Sequence, residues 1–252
     1  LRRGYPETIT IGSLAGAGTL GLLIPPSIIM IVYGVSANVS IAQLFIAGIV
    51  PGILLALLFS GYIVAWALVH PERIPAATEQ TTLAQKLHAS RHLIPVVVLI
   101  VVVLGSIYAG IATATEAAAF GVVGSLALSA LQGSLNRVTF LDSLLGATRL
   151  YCMIALILAG AAFLTLAMGY IGLPRDLAEW IATLGLTPFS LIVALALFYI
   201  VLGCFLDGIS MVVLTMGVIL PTVEKAGIDL LWFGIFIVLV VEMAQITPPV
   251  GF

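Results

Sequence analysis

Two long apolar segments of this chain are each broken by a proline pair, at Pro25-Pro26 and at Pro248-Pro249. This feature constrains the fold more than any other. Proline has no N–H, so Pro25 and Pro26 leave the carbonyls of Gly21 and Leu22 without helical partners, and Pro248 and Pro249 do the same to Ala244 and Gln245. Ile24 and Thr247, which precede the pairs, are pushed out of the α region. The sequence around the breaks makes their setting a bilayer. Of 252 residues, 62% are apolar and 8% charged, with a net charge of −2. A soluble domain carries about 25% charged residues. The composition excludes a soluble globular domain, a disordered tail and a nucleic-acid binder, which would need a basic face. The apolar blocks show no period-2 alternation, so the spans are helices and not barrel strands.

A helix crossing needs about 20 apolar residues. The first segment, 9–33, contains the first break; the second runs 41–69. A polar loop over 70–92 holds all three histidines. Spans are predicted at 93–109, 115–131 and 150–171, with an interfacial amphipathic helix over 136–149 and a second short amphipathic piece from Pro174 to Trp180. The stretch 188–223, about 36 residues, is too long for one span and is interrupted at Gly203–Gly208. It reads either as two spans joined by a tight turn or as a re-entrant hairpin. The short halves and the Asp207 and Gly residues at the bend favour the hairpin. The last span, 229–252, contains the second break.

Orientation follows from Lys/Arg placement. Arg2, Arg3, Arg73, Lys86, Arg91, Arg137 and Arg149 fall on one side, Arg175 and Lys225 on the other, seven against two. The N-terminal end and the 70–92 loop are therefore expected to be cytoplasmic. Gly4 precedes the first pair by 21 residues and Gly227 precedes the second by 21. Four full spans plus a hairpin or a pair of spans separate the two broken segments, which gives them opposite orientations. Matched breaks in opposite orientation are the mark of an inverted-repeat transporter. The unwound carbonyls of Gly21, Leu22, Ala244 and Gln245 suit a dehydrated Na⁺, and the half-helix after each break presents a positive end to a carboxylate.

The segment from Gly16 to Gly34, with Gly21-Leu22-Leu23-Ile24-Pro25-Pro26-Ser27 at its centre, resembles the first-repeat core of the large membrane subunit of tripartite ATP-independent periplasmic (TRAP) transporters. Gly110-Ile111-Ala112-Thr113-Ala114-Thr115-Glu116-Ala117-Ala118-Ala119 is similar to another segment of that family. Gly203 to Gly208, Leu220-Pro221, Gly227-Ile228-Asp229 and Glu242 to Gly251 resemble its second-repeat hairpin and broken helix. Two departures are Ala244, where the family usually has Gly, and Leu230, where Pro often follows the Asp.

The resemblance implies an all-α polytopic membrane protein, an inverted-repeat elevator-type secondary transporter with broken helices and a re-entrant hairpin. It covers the end of a first repeat (1–70), a cytoplasmic loop (71–92) and a second repeat (93–252). The chain, starting at Leu1 and ending at Phe252, reads as a fragment of a longer protein in which the first hairpin lies outside. The implied activity is Na⁺-coupled import of organic acids, such as C4-dicarboxylates or sialic acid, across the bacterial inner membrane. A periplasmic binding protein would deliver the substrate and a small membrane subunit would brace the permease. Na⁺ is the coupling ion; no cofactor, catalytic residue or nucleic acid is expected. The alternative is a dicarboxylate- or citrate-type anion transporter that works without a binding protein.

Residue by residue, the expected Na⁺ set is Gly21, Leu22, Pro25, Asp207, Gly208, Ala244, Gln245, Thr247 and Pro248. Asp207 has two compatible roles, at the ion or as the cap of the following half-helix. Expected substrate contacts are Thr19, Pro26, Ser27, Glu242 and Pro249, Glu242 being an intramembrane carboxylate. Glu116 pairs with a helix N-terminus. Gly12, Gly16, Gly18 and Gly21 serve close helix packing. Cys152 and Cys204 are buried free thiols, and His88 and His92 lie in a polar loop with no transition-metal role.

Overall fold

The computed structural model describes residues 5–75, 82, 90 and 93–246. The described residues are almost wholly helical and include no strand. The helices are α1 (Glu7–Leu23), α2 (Ile28–Ala37), α3 (Ile41–Val69), α4 (Ile94–Tyr108), α5 (Ala114–Leu131), α6 (Arg137–Ile171), α7 (Leu173–Thr183), α8 (Pro188–Gly203), α9 (Gly208–Lys225) and α10 (Leu230–Ile246). Five segments are long and apolar enough to cross a membrane: α1 with α2, α3, α5, α6 and α9. With the shorter apolar α4, α8 and α10, this is an all-α polytopic membrane protein.

The helix boundaries follow local chemistry. At the start of α5, the Thr113 hydroxyl accepts from the Glu116 N–H, while the Glu116 carboxylate accepts from the Thr113 N–H at 2.8 Å. This capping box satisfies two donors that a helix start leaves open. Gly110, at φ 69°, supplies the left-handed turn that α4 needs before α5 can begin. Asp229 caps α10 by accepting from the Trp232 N–H at 2.8 Å.

Several sequence expectations change here. The predicted amphipathic helix and the following span form one helix of 35 residues, α6, about 52 Å long. No proline and no positive-φ glycine interrupts residues 147–151, so the backbone continues past Arg149. Of the four spaced glycines in α1, only Gly16 packs closely, 3.1 Å from the Phe59 ring when given a Cβ; Gly12, Gly18 and Gly21 have nothing within 4 Å. The cysteines form no disulfide among the described residues; Cys152 is exposed, and Cys204 is half-buried with its thiol donating to the Ile200 carbonyl at 3.5 Å. His88 and His92 lie outside the described residues.

The chain forms two compact units. One comprises 1–7 and 67–150, where α4 and α5 pack as a pair and Gly124 admits the Leu99 side chain. The other comprises 8–66 and 151–252 and holds the larger core. In that second unit α10 packs against α8, α9 and α2, while α9 also packs against α7 and α2. Nine of the 17 residues of α10 are buried.

Candidate functional site

The first break lies in the second unit. The last turn of α1 closes with Ile24 N–H donating to the Leu20 carbonyl at 2.9 Å. Residues 24–26 form a bend and Ser27 is extended, at φ −113° and ψ 128°. Ser27 is fully buried and accepts from the Met30 N–H at 3.3 Å, capping α2. Its hydroxyl also donates to the Leu22 carbonyl. The Leu22 carbonyl is therefore not free, contrary to the proline argument, because the cap of the next helix supplies a donor that the missing amide could not. Among the described residues, no side-chain donor reaches the Gly21 carbonyl. The break rests on α3: Gly48 lets the Leu23 carbonyl and Met30 approach, and Gly52 admits Ile24, each site tighter than a Cβ would allow.

The hairpin tip is built as directly. After Gly203, residues 204–207 turn the chain and Asp207 caps α9, accepting from the Ile209 and Ser210 N–H groups at 3.1 Å each. Asp207 is exposed and Gly208 buried. Between the hairpin arms the Tyr199 and Thr215 hydroxyls share a hydrogen bond of 2.6 Å.

Gly208 brings three elements together. A Cβ there would stand 2.7 Å from both Gln245 Nε2 and Val241 Cγ1 on α10, and 2.9 Å from Ile29 Cδ1 on α2. One turn earlier in the hairpin, Gly203 sits against the Ala244 methyl, which a second Cβ would overlap. Ala244 thus occupies the place that a glycine would leave open, and Gly203 provides the close approach in its stead. Tyr33 of α2 closes the far end of the same interface: its buried hydroxyl donates to the Leu230 carbonyl at 2.6 Å, and its ring tilts against Phe233 at a centroid distance of 6.4 Å.

Two helix starts, α2 and α9, therefore meet the C-terminal end of α10. The start of α2 carries a neutral cap, Ser27, so its partial positive charge is uncompensated and favours an anion. The start of α9 carries the Asp207 carboxylate, which favours a cation beside it. Of the expected residues, the structure brings Gly208 to Gln245 of α10 and to Ile29 of α2, and sets Ala244 against Gly203, while Pro25 and Ser27 are buried at the first break in the turn before Ile29. Glu242, 2% exposed, lies in the same helix as Ala244, with the Thr19 hydroxyl of α1 facing its carboxyl. Pro26 and Gly21 are exposed. Thr247, Pro248 and Pro249 lie outside the described residues. Among the described residues no three of His, Cys, Asp and Glu cluster as metal ligands would.

Sequence reasoning missed Gly48, Gly52 and Tyr33. The first two form a Gly-x-x-x-Gly spacing in α3, a signal of close helix approach that was readable. Tyr33 carries no such signal, because its partner is a backbone carbonyl 197 residues away.

The family described as "Tripartite ATP-independent periplasmic transporter, DctM component" matches residues 1–252. The C4-dicarboxylate TRAP transporter large permease protein DctM of Pseudomonas aeruginosa is 33% identical over 252 residues, covering 100% of this chain and 58% of that protein. The ectoine/5-hydroxyectoine TRAP transporter large permease protein UehC of Ruegeria pomeroyi is 32% identical, over 100% of the chain and 58% of the relative. The isethionate TRAP transporter permease protein DctMQ of Oleidesulfovibrio alaskensis is 31% identical, over 100% of the chain and 39% of the relative. The chain thus spans less than two thirds of the length of these relatives.

Proposed function

We propose, for a chain that belongs to the DctM-component family of tripartite ATP-independent periplasmic transporters, that it forms part of the substrate and ion pathway in a large permease of the bacterial inner membrane, the end of a first repeat and most of a second. The permease imports an organic acid, a C4-dicarboxylate, sialic acid or a similar carboxylate, and couples that import to Na⁺ entry. A periplasmic binding protein delivers the acid and a small membrane subunit braces the permease. The names of the relatives support the permease reading, since each is a TRAP permease and the three differ in what they are named for: C4-dicarboxylate, isethionate and ectoine.

The observation that carries the proposal is the meeting of α2, the α8–α9 hairpin and α10 at Gly208. The neutral-capped start of α2 takes the substrate carboxylate, aided by Ser27. Asp207 and the carbonyls at the end of α10 take Na⁺, with Thr247 as a further ligand. Free backbone carbonyls and helix ends at membrane depth are tolerated only where they line a cavity or a ligand. In this reading the hairpin is re-entrant, and the two broken segments belong to inverted repeats that move as an elevator. Nothing in the pathway forms or breaks a covalent bond.

The test is uptake of labelled succinate and sialic acid by the full-length transporter complex in proteoliposomes, with and without a Na⁺ gradient and with and without the binding protein. Uptake that requires both supports the proposal. Uptake indifferent to Na⁺ removes the coupling. Uptake independent of the binding protein gives the anion transporter that needs no delivery protein.

A further inference from the structure

Glu242 is the least satisfied ionisable group in the described structure. It is 2% exposed, and neither Oε1 nor Oε2 has a hydrogen-bond partner. The two ion pairs among the described residues, Arg73–Glu72 and Arg175–Glu179, lie elsewhere, and no charged side chain acts on Glu242. Buried carboxyl groups are otherwise paired or hydrogen-bonded, and an orphan is a functional signal at membrane depth.

Among the described residues, Thr19 is the polar side chain that acts on its carboxyl. That hydroxyl donates its hydrogen to the Gly16 carbonyl at 3.1 Å and makes no hydrogen bond to the carboxyl. With its hydrogen committed, Thr19 turns oxygen lone pairs toward a second set of oxygen lone pairs. The carboxyl and the Thr19 oxygen are then neighbours with no donor between them. A neutral carboxylic acid resolves this only in part, because its O–H can donate to the Thr19 oxygen while its second oxygen still lacks a donor. A monovalent cation resolves it in one step, since hard cations take oxygen ligands and balance the carboxylate charge.

We infer that Glu242 and Thr19 form a cation site of their own between α1 and α10, separate from the carbonyls of the two breaks. Glu242 binds through both carboxylate oxygens and Thr19 through its hydroxyl. This assigns Glu242 to an ion and not to the substrate carboxylate, which its own charge would repel. The inference rests on the Na⁺ reading above for the identity of the cation, yet its test reads binding and not transport.

The experiment measures ²²Na⁺ bound per transporter in the purified full-length complex, for the wild type and for Glu242→Gln and Thr19→Val, with uptake followed in parallel. Glu242→Gln should bind one ion fewer. Thr19→Val should keep the full number but bind one of them roughly tenfold more weakly, the loss expected for one ligand to a charged centre, so it reports on the site even if Glu242→Gln does not fold. Equal Na⁺ binding by the wild type and both variants overturns the site, whether or not uptake is Na⁺-driven. An infrared band of a protonated carboxyl that persists in the wild type at saturating Na⁺ and vanishes in Glu242→Gln also overturns it, because the group then holds a proton. Loss of one bound ion in Glu242→Gln beside Na⁺-independent uptake supports the site and removes the coupling reading.

Discussion

Helices α10 and α6 look alike in sequence and sit differently in the structure. Both contain apolar runs interspersed with small residues. Yet α10 buries nine of 17 residues, and α6 buries one of 35, Ala161. Apolar character does not make this difference, because lipid tails are as apolar as leucine and give no drive for one helix to bury another. The difference lies in what meets the helix. Gly203 and Gly208 of the hairpin strip away side chains where α10 approaches, and Gly234 of α10 does the same for Tyr33 and Leu44. Along α6, Gly146, Gly160 and Gly169 have nothing within 4 Å. The close approach that α6 does make, Thr165 against Gly217 of α9, is a single one, whereas α10 is met at Gly203, Gly208 and its own Gly234.

The largest effect should come from adding one methyl on each side of this contrast. Gly203→Ala places a Cβ on the Ala244 methyl and should lower stability by about 1–3 kcal/mol. Gly160→Ala meets open space and gains helix propensity, about 1 kcal/mol in the stabilising direction. Thermal unfolding of the full-length protein in detergent reads both; equal responses would break the comparison.

A smaller effect should follow from Tyr33→Phe, which keeps the ring contact with Phe233 and removes the hydrogen bond to the Leu230 carbonyl. Its expected cost is about 1 kcal/mol. Tyr151→Phe on α6, where the side chain is 72% exposed, should change nothing in the same assay.

The smallest effect belongs to the surface of α7. Arg175 donates to Glu179 at 3.0 Å, and this partner holds the Glu179 carboxyl below its ordinary value of 4.5 and the Arg175 guanidinium above its own. A carboxyl lowered in the folded state adds stability above its unfolded value, and that stability is lost as pH falls through the folded value. The pair is open to solvent and weak. Glu179→Gln should therefore shift the melting temperature less than either change above at pH 7, and the shift should disappear as the pH drops below about 4.5. A shift that grows on acidification would reverse this sign.

Much of this architecture was readable before any coordinates. Segment 41–69 matches α3 residue for residue, and the first break falls where Pro25-Pro26 put it, because proline chemistry is local. The Glu116 pairing was legible for the same reason. The continuity of α6 was not. Arg149 marks a change from apolar to polar surroundings, and a helix backbone can cross that change without a break. The Ser27 bond to Leu22 escaped because it depends on the fold of the bend, which the missing N–H of proline does not determine. At the candidate site, the sequence supplied Gly208, Ala244 and Gln245 as separate suspects. Their meeting with Ile29 is a tertiary fact that spacing alone does not encode.

The central claim is that this meeting at Gly208 is where substrate import is coupled to the ion. The most direct measurement is Na⁺-driven uptake by the reconstituted full-length transporter carrying Gly208→Ala, beside Gly160→Ala. The account predicts that Gly208→Ala, whose Cβ would crowd Gln245, Val241 and Ile29, loses Na⁺-driven uptake while Gly160→Ala retains it. Wild-type Na⁺ dependence and rate in folded Gly208→Ala protein would contradict it.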